Sequence, residues 1–432
     1  MTPFEGAGER RTRTGLARLF AAEAEELGAV IAGFLLFFLL FAGYFMLRPV
    51  RETMGIAGGV DNLQWLFLGT FLATLVVVPL YGWASRVVPR RRLLPVTYGV
   101  SALILVGFAT SMAANPDDPW VARAFYIWIS VFNLFAISIA WSLMADLFRP
   151  EQSKRLFGQI AAGASLGGLA GPIISGTLVA SVGNAGLLAI SAVLLLATLG
   201  CVRWLQRWRD VHGPAQTQED AGRPIGGGIL SGLTLVIRSP FLLGICLFVI
   251  LLATVSTFLY FEQARLVEES FPDRTRQTQV FAGIDTLVQS LTILIQIFFT
   301  GRLARRLGVV ALLTAVPLAT MGGFAALAVA ATFPVLAVVM VLRRVGEYAL
   351  VRPGREMLFV PLDQETKYKA KNVIDTVIYR GGDAVSAWAK AGIDAFAASP
   401  VAAAVAGVGV AGLWAATGYA LGRRHDRQVA GG

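Results

Sequence analysis

Apolar residues in this chain gather into runs of roughly twenty, separated by short breaks rich in Pro, Gly and charge. A helix needs roughly 20 such residues to cross about 30 Å of hydrocarbon, so each run predicts one membrane-spanning helix. Twelve are read, over 28–50, 63–86, 93–113, 120–147, 156–181, 183–205, 240–263, 278–300, 308–330, 333–351, 372–397 and 400–422. The predicted fold class is all-α: a polytopic membrane protein with twelve transmembrane helices. The first run is read as a span and not as a cleaved leader, because no small-residue cleavage site followed by a soluble domain accompanies it.

The breaks repeat. The second and third runs are joined by S-R-V-V-P-R-R-R, with Arg86, and the eighth and ninth by G-R-L-A-R-R-L, with Arg302, about half the chain later. Glu151 and Gln152 precede Asp363 and Gln364 by about the same interval. The expected organisation is two six-helix pseudo-repeats, 28–205 and 240–422, with a leading segment 1–27, a linker 206–239 and a tail 423–432. Two such halves are the arrangement of the major facilitator superfamily, with substrate bound between them near mid-membrane.

Composition agrees with the pattern: 56% hydrophobic and 15% charged residues exclude an ordinary soluble globular chain. The net charge of +10 is spread among loops and forms no basic patch interleaved with aromatics, so nucleic acid is not an expected partner. Most of the 37 Lys and Arg fall on alternate loops, which predicts both termini in the cytoplasm, and the arginine- and alanine-rich usage is compatible with a bacterial inner (cell) membrane location. The two cysteines, Cys201 and Cys246, lie in apolar segments without disulfide or metal spacing, and the two histidines, His212 and His425, lie outside the spans. Neither a His-based metal centre nor a catalytic triad can be built from them, so no enzyme and no cofactor are expected.

Charges inside the spans are then the candidate chemistry, since an ionisable residue in lipid is costly unless it faces a cavity or a partner. Arg48 and Arg51 end the first span, beside Glu52, and Glu262 and Arg265 hold the corresponding place in the seventh. Asp285, Gln289 and Gln296 share one face of the eighth span, and Arg343, Arg344 and Glu347 lie near the end of the tenth. Asp375, Arg380 and Asp383 follow in the eleventh, with Arg380 and Asp383 at a spacing that allows a direct ion pair. Trp141 in the fourth span can either stack an aromatic base or pack the core. Gly163, Gly167 and Gly171 recur every four residues in the fifth span and predict a close helix–helix contact.

The longest patterned polar run is R-P-G-R-E-M-L-F-V-P-L-D-Q-E-T-K-Y-K-A-K-N-V-I-D, 352–375. Its Asp363, Glu365, Lys367, Lys369, Lys371 and Asp375, with Arg86, Glu151, Lys154 and Arg155 on related loops, are read as a gate whose salt bridges form and break between two states. Direct phosphate contact by the lysines is the alternative role.

Pro361, Leu362, Asp363, Gln364, Glu365, Lys367, Lys369, Lys371 and Asp375 resemble the P-L-D-Q-E-x-K-x-K-x-K-x-x-x-D signature of the ATP/ADP antiporter family, in its divergent bacterial branch. Arg48, Arg51 and Glu52 are similar to that family's L-R-x-x-K-D element, and W-S-L-M-A-D and K-R-L-F-G are looser matches around Trp141 and Arg155. The resemblance implies an alternating-access exchanger of nucleotides or other phosphate-bearing organic anions, with Arg48, Arg51, Trp141, Glu262, Arg265, Asp285, Arg344 and Glu347 as substrate-binding candidates. The chain departs from the family at Glu347, where lysine is usual, at Arg352, where aspartate is usual, and at Arg51 and Arg355, which replace lysines. A different reading, a proton-coupled transporter of another small solute, rests on Asp285, Asp383 and on the fifth-span pattern Gly158, Gly167, Gly171, Pro172 and Gly176, which resembles the motif of drug/proton exchangers.

Overall fold

A computed structural model describes residues 23, 25–212, 229–397 and 400–430, with the side chains of Arg86 and Glu365 among those outside the description. Most of the leading segment and residues 213–228 of the expected linker also lie outside it. The described residues are helical almost throughout. Nine stretches are long and apolar enough to cross a membrane. One of them divides at Gly183, and two further helices are broken up by charge, which brings the spans among the described residues to twelve.

The spans are α1 Leu27–Ala57, α2 Leu63–Val87, α3 Arg90–Ala114 and α4 Pro119–Leu147. The helix Pro150–His212 breaks at Gly183 into α5 and α6. After a short helix, Ile229–Arg238, come α7 Pro240–Ser270 and α8 Arg274–Ile295, which runs on through one π-helical turn, Gln296–Thr300. The next helix, Gly301–Val329, breaks at Gly308, from which α9 continues. Next, α10 is Phe333–Gly346 with a π turn Glu347–Val351 and Arg352–Leu358. The eleventh span, α11, is Gln364–Val373 with a π turn Ile374–Ile378 and Tyr379–Ala397, and α12 is Pro400–Ala430. At Gly183 and Gly308 φ is 68° and 72°, a backbone state in which a side chain would be strained, so a single residue separates the paired helices there.

Local signals explain where helices begin. Asp118, Ser239, Asp273 and Asp363 each accept a hydrogen bond from a backbone N–H of the first turn that follows, and Pro119 and Pro240 occupy the first helical position, where no N–H is needed. Several boundaries differ from the sequence expectation: α1, α7, α10 and α12 run on to Ala57, Ser270, Leu358 and Ala430, past the expected 50, 263, 351 and 422. The segment 206–239 is not all linker, because helix continues to His212 and resumes at Ile229. Helix α11 begins at Gln364, before the expected 372, so Lys367, Lys369 and Lys371 are helical and spread around its axis.

The glycines of α5 do what their spacing predicts. A methyl group on Gly163, Gly167 or Gly171 would lie 2.2, 2.4 or 2.6 Å from the carbonyl oxygens of Phe34, Phe38 and Ala42 on α1, so the two backbones are in contact along this face. One buried apolar cluster joins α1 to α3–α6, from Ala29 to Leu205, and a second joins residues from Val236 to Leu421. A third gathers Ile56, Leu63 and Tyr126 with Phe261, Val267, Phe281 and Ala387, and so ties the two sets of helices together at the end of the bundle away from the termini.

Candidate functional site

Between the two sets of helices lies a cavity of about 790 Å³, walled by α1, α4, α7, α8, α10 and α11 with smaller contributions from α2 and α5. At the end away from the termini it is capped by the third apolar cluster. There Trp65 and Trp388 meet edge to face at 4.9 Å, Thr53 and Thr278 share a hydrogen bond at 2.8 Å, and Arg274 reaches Asp117 at 3.0 Å. Toward the end bearing the termini the lining continues through Arg355, Glu356, Lys371 and Asp375. The ion pairs there join neighbours within one set of helices: Arg355 with Asp375 at 2.9 Å, Lys371 with Glu356 at 2.6 Å, and Arg155 with Glu26 at 2.7 Å.

The three π turns position much of the cavity wall. Each adds a residue to the helical repeat and turns the side chains that follow it, a feature frequent at functional sites. They supply Gln296, Glu347, Tyr348, Val351 and Asp375 to the cavity. Carbonyls freed by the turn in α10 are satisfied from the turn in α8. Gln296 donates to the Tyr348 carbonyl at 3.1 Å and Thr300 to that of Ala349 at 2.9 Å.

Charge is arranged around two carboxylates. Asp285 of α8 lies 2.5 Å from Arg344 of α10 and 3.6 Å from Arg48 of α1. Glu347 lies 2.8 Å from Arg343 and 3.7 Å from Arg352, and Arg343 also donates to Ser256 at 2.8 Å. Tyr348 stands between these groups, with its hydroxyl accepting from Arg48 at 3.5 Å and the Arg352 guanidinium 4.6 Å from its ring centre. Arg51 pairs with its neighbour Glu52 and lies 5.4 Å from the centre of the Tyr126 ring, and Arg380 pairs with Asp383 at 3.5 Å. Such an array can hold an anion by exchanging carboxylate partners for ligand oxygens.

Of the residues expected at a binding site, Arg48, Arg51, Asp285, Arg344 and Glu347 line the cavity, as do Gln289 and Gln296 on the predicted polar face of α8. Trp141 is elsewhere: its ring packs 4.5 Å from that of Phe37 and 5.6 Å from that of Phe157, inside the first apolar cluster. Glu262 and Arg265 also lie off the cavity wall, paired with each other one turn apart, with Arg265 extended to Glu269 at 2.8 Å. Among the gate candidates, Lys371 and Asp375 reach the cavity. Asp363 caps α11 through Thr366 N at 2.9 Å, and Glu151 and Lys154 are exposed. Lys367 and Lys369 are half-buried on the first turns of α11. The sequence reading did not single out Tyr44, Tyr348, Tyr126, Tyr260 and Tyr379, all of which line the cavity. A tyrosine in an apolar run carries no signal to separate a cavity wall from an interfacial anchor.

A cavity between two sets of helices, walled by charge and sealed at one end, is the architecture of a solute carrier. The Major Facilitator Superfamily profile matches residues 33–353, and the chain belongs to that superfamily. It is a membrane transporter and not an enzyme. The ADP,ATP carrier protein 1 of Chlamydia muridarum (strain MoPn / Nigg) is 23% identical to it, over 84% of this chain and 81% of that protein. Among solved structures, the nucleoside transporter NupG aligns with a TM-score of 0.61 at 13% identity, covering 92% of this chain and 98% of that one. A bacterial homolog of the human lysosomal transporter Spinster, in an inward-facing and unoccupied conformation, also aligns with a TM-score of 0.61 at 13% identity, covering 94% and 99%. These two structures share the fold.

Proposed function

We propose that the chain exchanges nucleotides of the ATP/ADP kind, or other phosphate-bearing organic anions, across a bacterial inner membrane by alternating access. The observation that carries this reading is the arginine-walled cavity in which Arg48 of α1 meets Asp285 of α8 and Tyr348 of α10, so that an anion bound there touches both halves at once. The broad similarity to ADP,ATP carriers supports the choice of substrate. The halves 28–205 and 240–422 act as the rocking bodies, with both termini in the cytoplasm, since the loops at that end carry most of the Lys and Arg. With the opposite end sealed, the conformation is inward-facing. Closing the inner end requires the pairs Arg355–Asp375 and Lys371–Glu356 to exchange partners with the loop that carries Glu151, Lys154 and Arg155.

The test is thermal stabilisation of the purified protein by nucleotides, inorganic phosphate, sugar phosphates and unphosphorylated solutes, followed by counterflow in liposomes. Stabilisation by a phosphorylated compound that Arg48→Ala removes is the expected result. Stabilisation only by an unphosphorylated solute discards the reading.

A second reading, proton-coupled transport of another solute, is favoured by the buried carboxyl groups of Asp285 and Asp383 on the cavity wall. It requires uptake driven by a pH gradient and abolished in Asp285→Asn.

A further inference from the structure

The cavity has an uneven charge balance, and the excess is localised. Among its described lining residues, eight cationic side chains face six carboxylates. Four of the pairings are one to one: Arg51 with Glu52, Arg380 with Asp383, Arg355 with Asp375 and Lys371 with Glu356. The other four arginines share two carboxylates, Arg48 and Arg344 at Asp285, Arg343 and Arg352 at Glu347. Each of these triads carries one formal positive charge more than it can neutralise.

The two arginines of a triad are not equivalent. Arg344 and Arg343 hold their carboxylates at 2.5 and 2.8 Å with side chains only 7% exposed. Arg48 and Arg352 stand off at 3.6 and 3.7 Å, with 17% and 58% exposure, and both turn to Tyr348, one to its hydroxyl and the other to its ring. The inner arginine of each triad neutralises the carboxylate. The outer one is left for a ligand. One outer arginine comes from the first half of the chain and one from the second.

Resting on the reading of this cavity as a site for phosphate-bearing anions, we propose that Arg48 and Arg352 clasp a single doubly charged phosphate group beside Tyr348, so that the preferred substrate is a phosphate monoester such as a nucleoside monophosphate, in place of a di- or triphosphate. A monoester carries about −1.5 to −2 charge at pH 7, which matches the excess of two. Once the cavity closes around its ligand in the transport cycle, a charge left uncompensated there costs several kcal/mol by the general penalty for burying ions, so over-neutralisation by a more highly charged polyphosphate is selected against. Glu347 is thus a specificity-determining residue, because it cancels one positive charge that a polyphosphate would need.

The experiment is thermal stabilisation and competition binding with adenosine, AMP, ADP and ATP in magnesium-free buffer at pH 7.5, a series in which the base and sugar stay the same and each step adds a phosphoryl group with its charge. The expected order places AMP first, with adenosine inactive. Arg48→Ala and Arg352→Ala each weaken AMP binding by roughly ten- to a hundredfold, the size of a lost charge-assisted hydrogen bond, while Arg352→Lys retains part of it. Glu347→Gln, with one more positive charge, moves the preference toward ADP. If ATP or ADP binds the wild-type protein more tightly than AMP, or if Arg352→Ala leaves AMP binding unchanged, the monoester assignment is overturned and the phosphate-anion reading survives. If no phosphorylated compound binds at all, both fall.

Discussion

Arg48 on α1 and Asp285 on α8 face each other at 3.6 Å across the cavity, and Arg344 closes on the same carboxylate at 2.5 Å. Removing the shared carboxylate leaves the buried guanidinium of Arg344 and the half-buried one of Arg48 unopposed. For Asp285→Ala we expect a loss of stability of about 3–5 kcal/mol, the usual cost of breaking a buried pair, seen as a lower melting temperature in detergent. An anionic ligand should restore part of it, because the ligand takes the place of the missing charge. A mutant as stable as wild type without ligand would contradict the pairing.

Helix contact through glycine makes a sharper structural prediction. A side chain at Gly167 begins 2.4 Å from the Phe38 carbonyl, whereas a methyl group at Gly158 meets nothing within 4 Å. Gly167→Val should abolish recovery of monodisperse protein on gel filtration, and Gly158→Ala on the same helix should leave it unchanged.

The seal at the end away from the termini can be locked. Thr53 and Thr278 place their hydroxyl oxygens 2.8 Å apart on α1 and α8, close enough for cysteines at both positions to join after a small adjustment. Oxidation of Thr53→Cys/Thr278→Cys should stop transport in liposomes, and a reductant should restore it. Full transport by the oxidised, cross-linked form would mean that these helices do not separate during the cycle.

Trp141 tests the division between packing and binding. Its ring lies against Phe37 and Phe157 and off the cavity wall. Trp141→Phe should therefore keep the ranking of ligands in the stabilisation panel. A changed ranking would return Trp141 to the substrate site.

Apolar run length and glycine spacing are local properties, and they were legible without coordinates. The bilayer sets one length for every span, so the positions of α1–α12 follow from composition along the chain. The pattern Gly163, Gly167, Gly171 named a contact face because four-residue spacing lies on one side of any helix. Arg48, Asp285 and Arg344 were recognisable singly, since a charge in lipid needs a polar surrounding.

What tertiary structure alone decided is which charges meet. Glu262 and Arg265 look like the counterparts of Arg48 and Arg51, yet they satisfy each other one turn apart and leave the cavity wall. Arg352 reads as part of a loop signature, but a π turn carries it back to Tyr348, opposite an arginine from the other half of the chain. Pairing energies depend on distance and burial, and for residues separated by 300 positions both are set by how the helices pack. The sequence by itself determined that charges would be buried together; the packing of α1 against α8, and the meeting of Arg48 and Arg352 at Tyr348, determined which of them pair and which share a carboxylate, because pairing depends on distances that only the folded bundle sets.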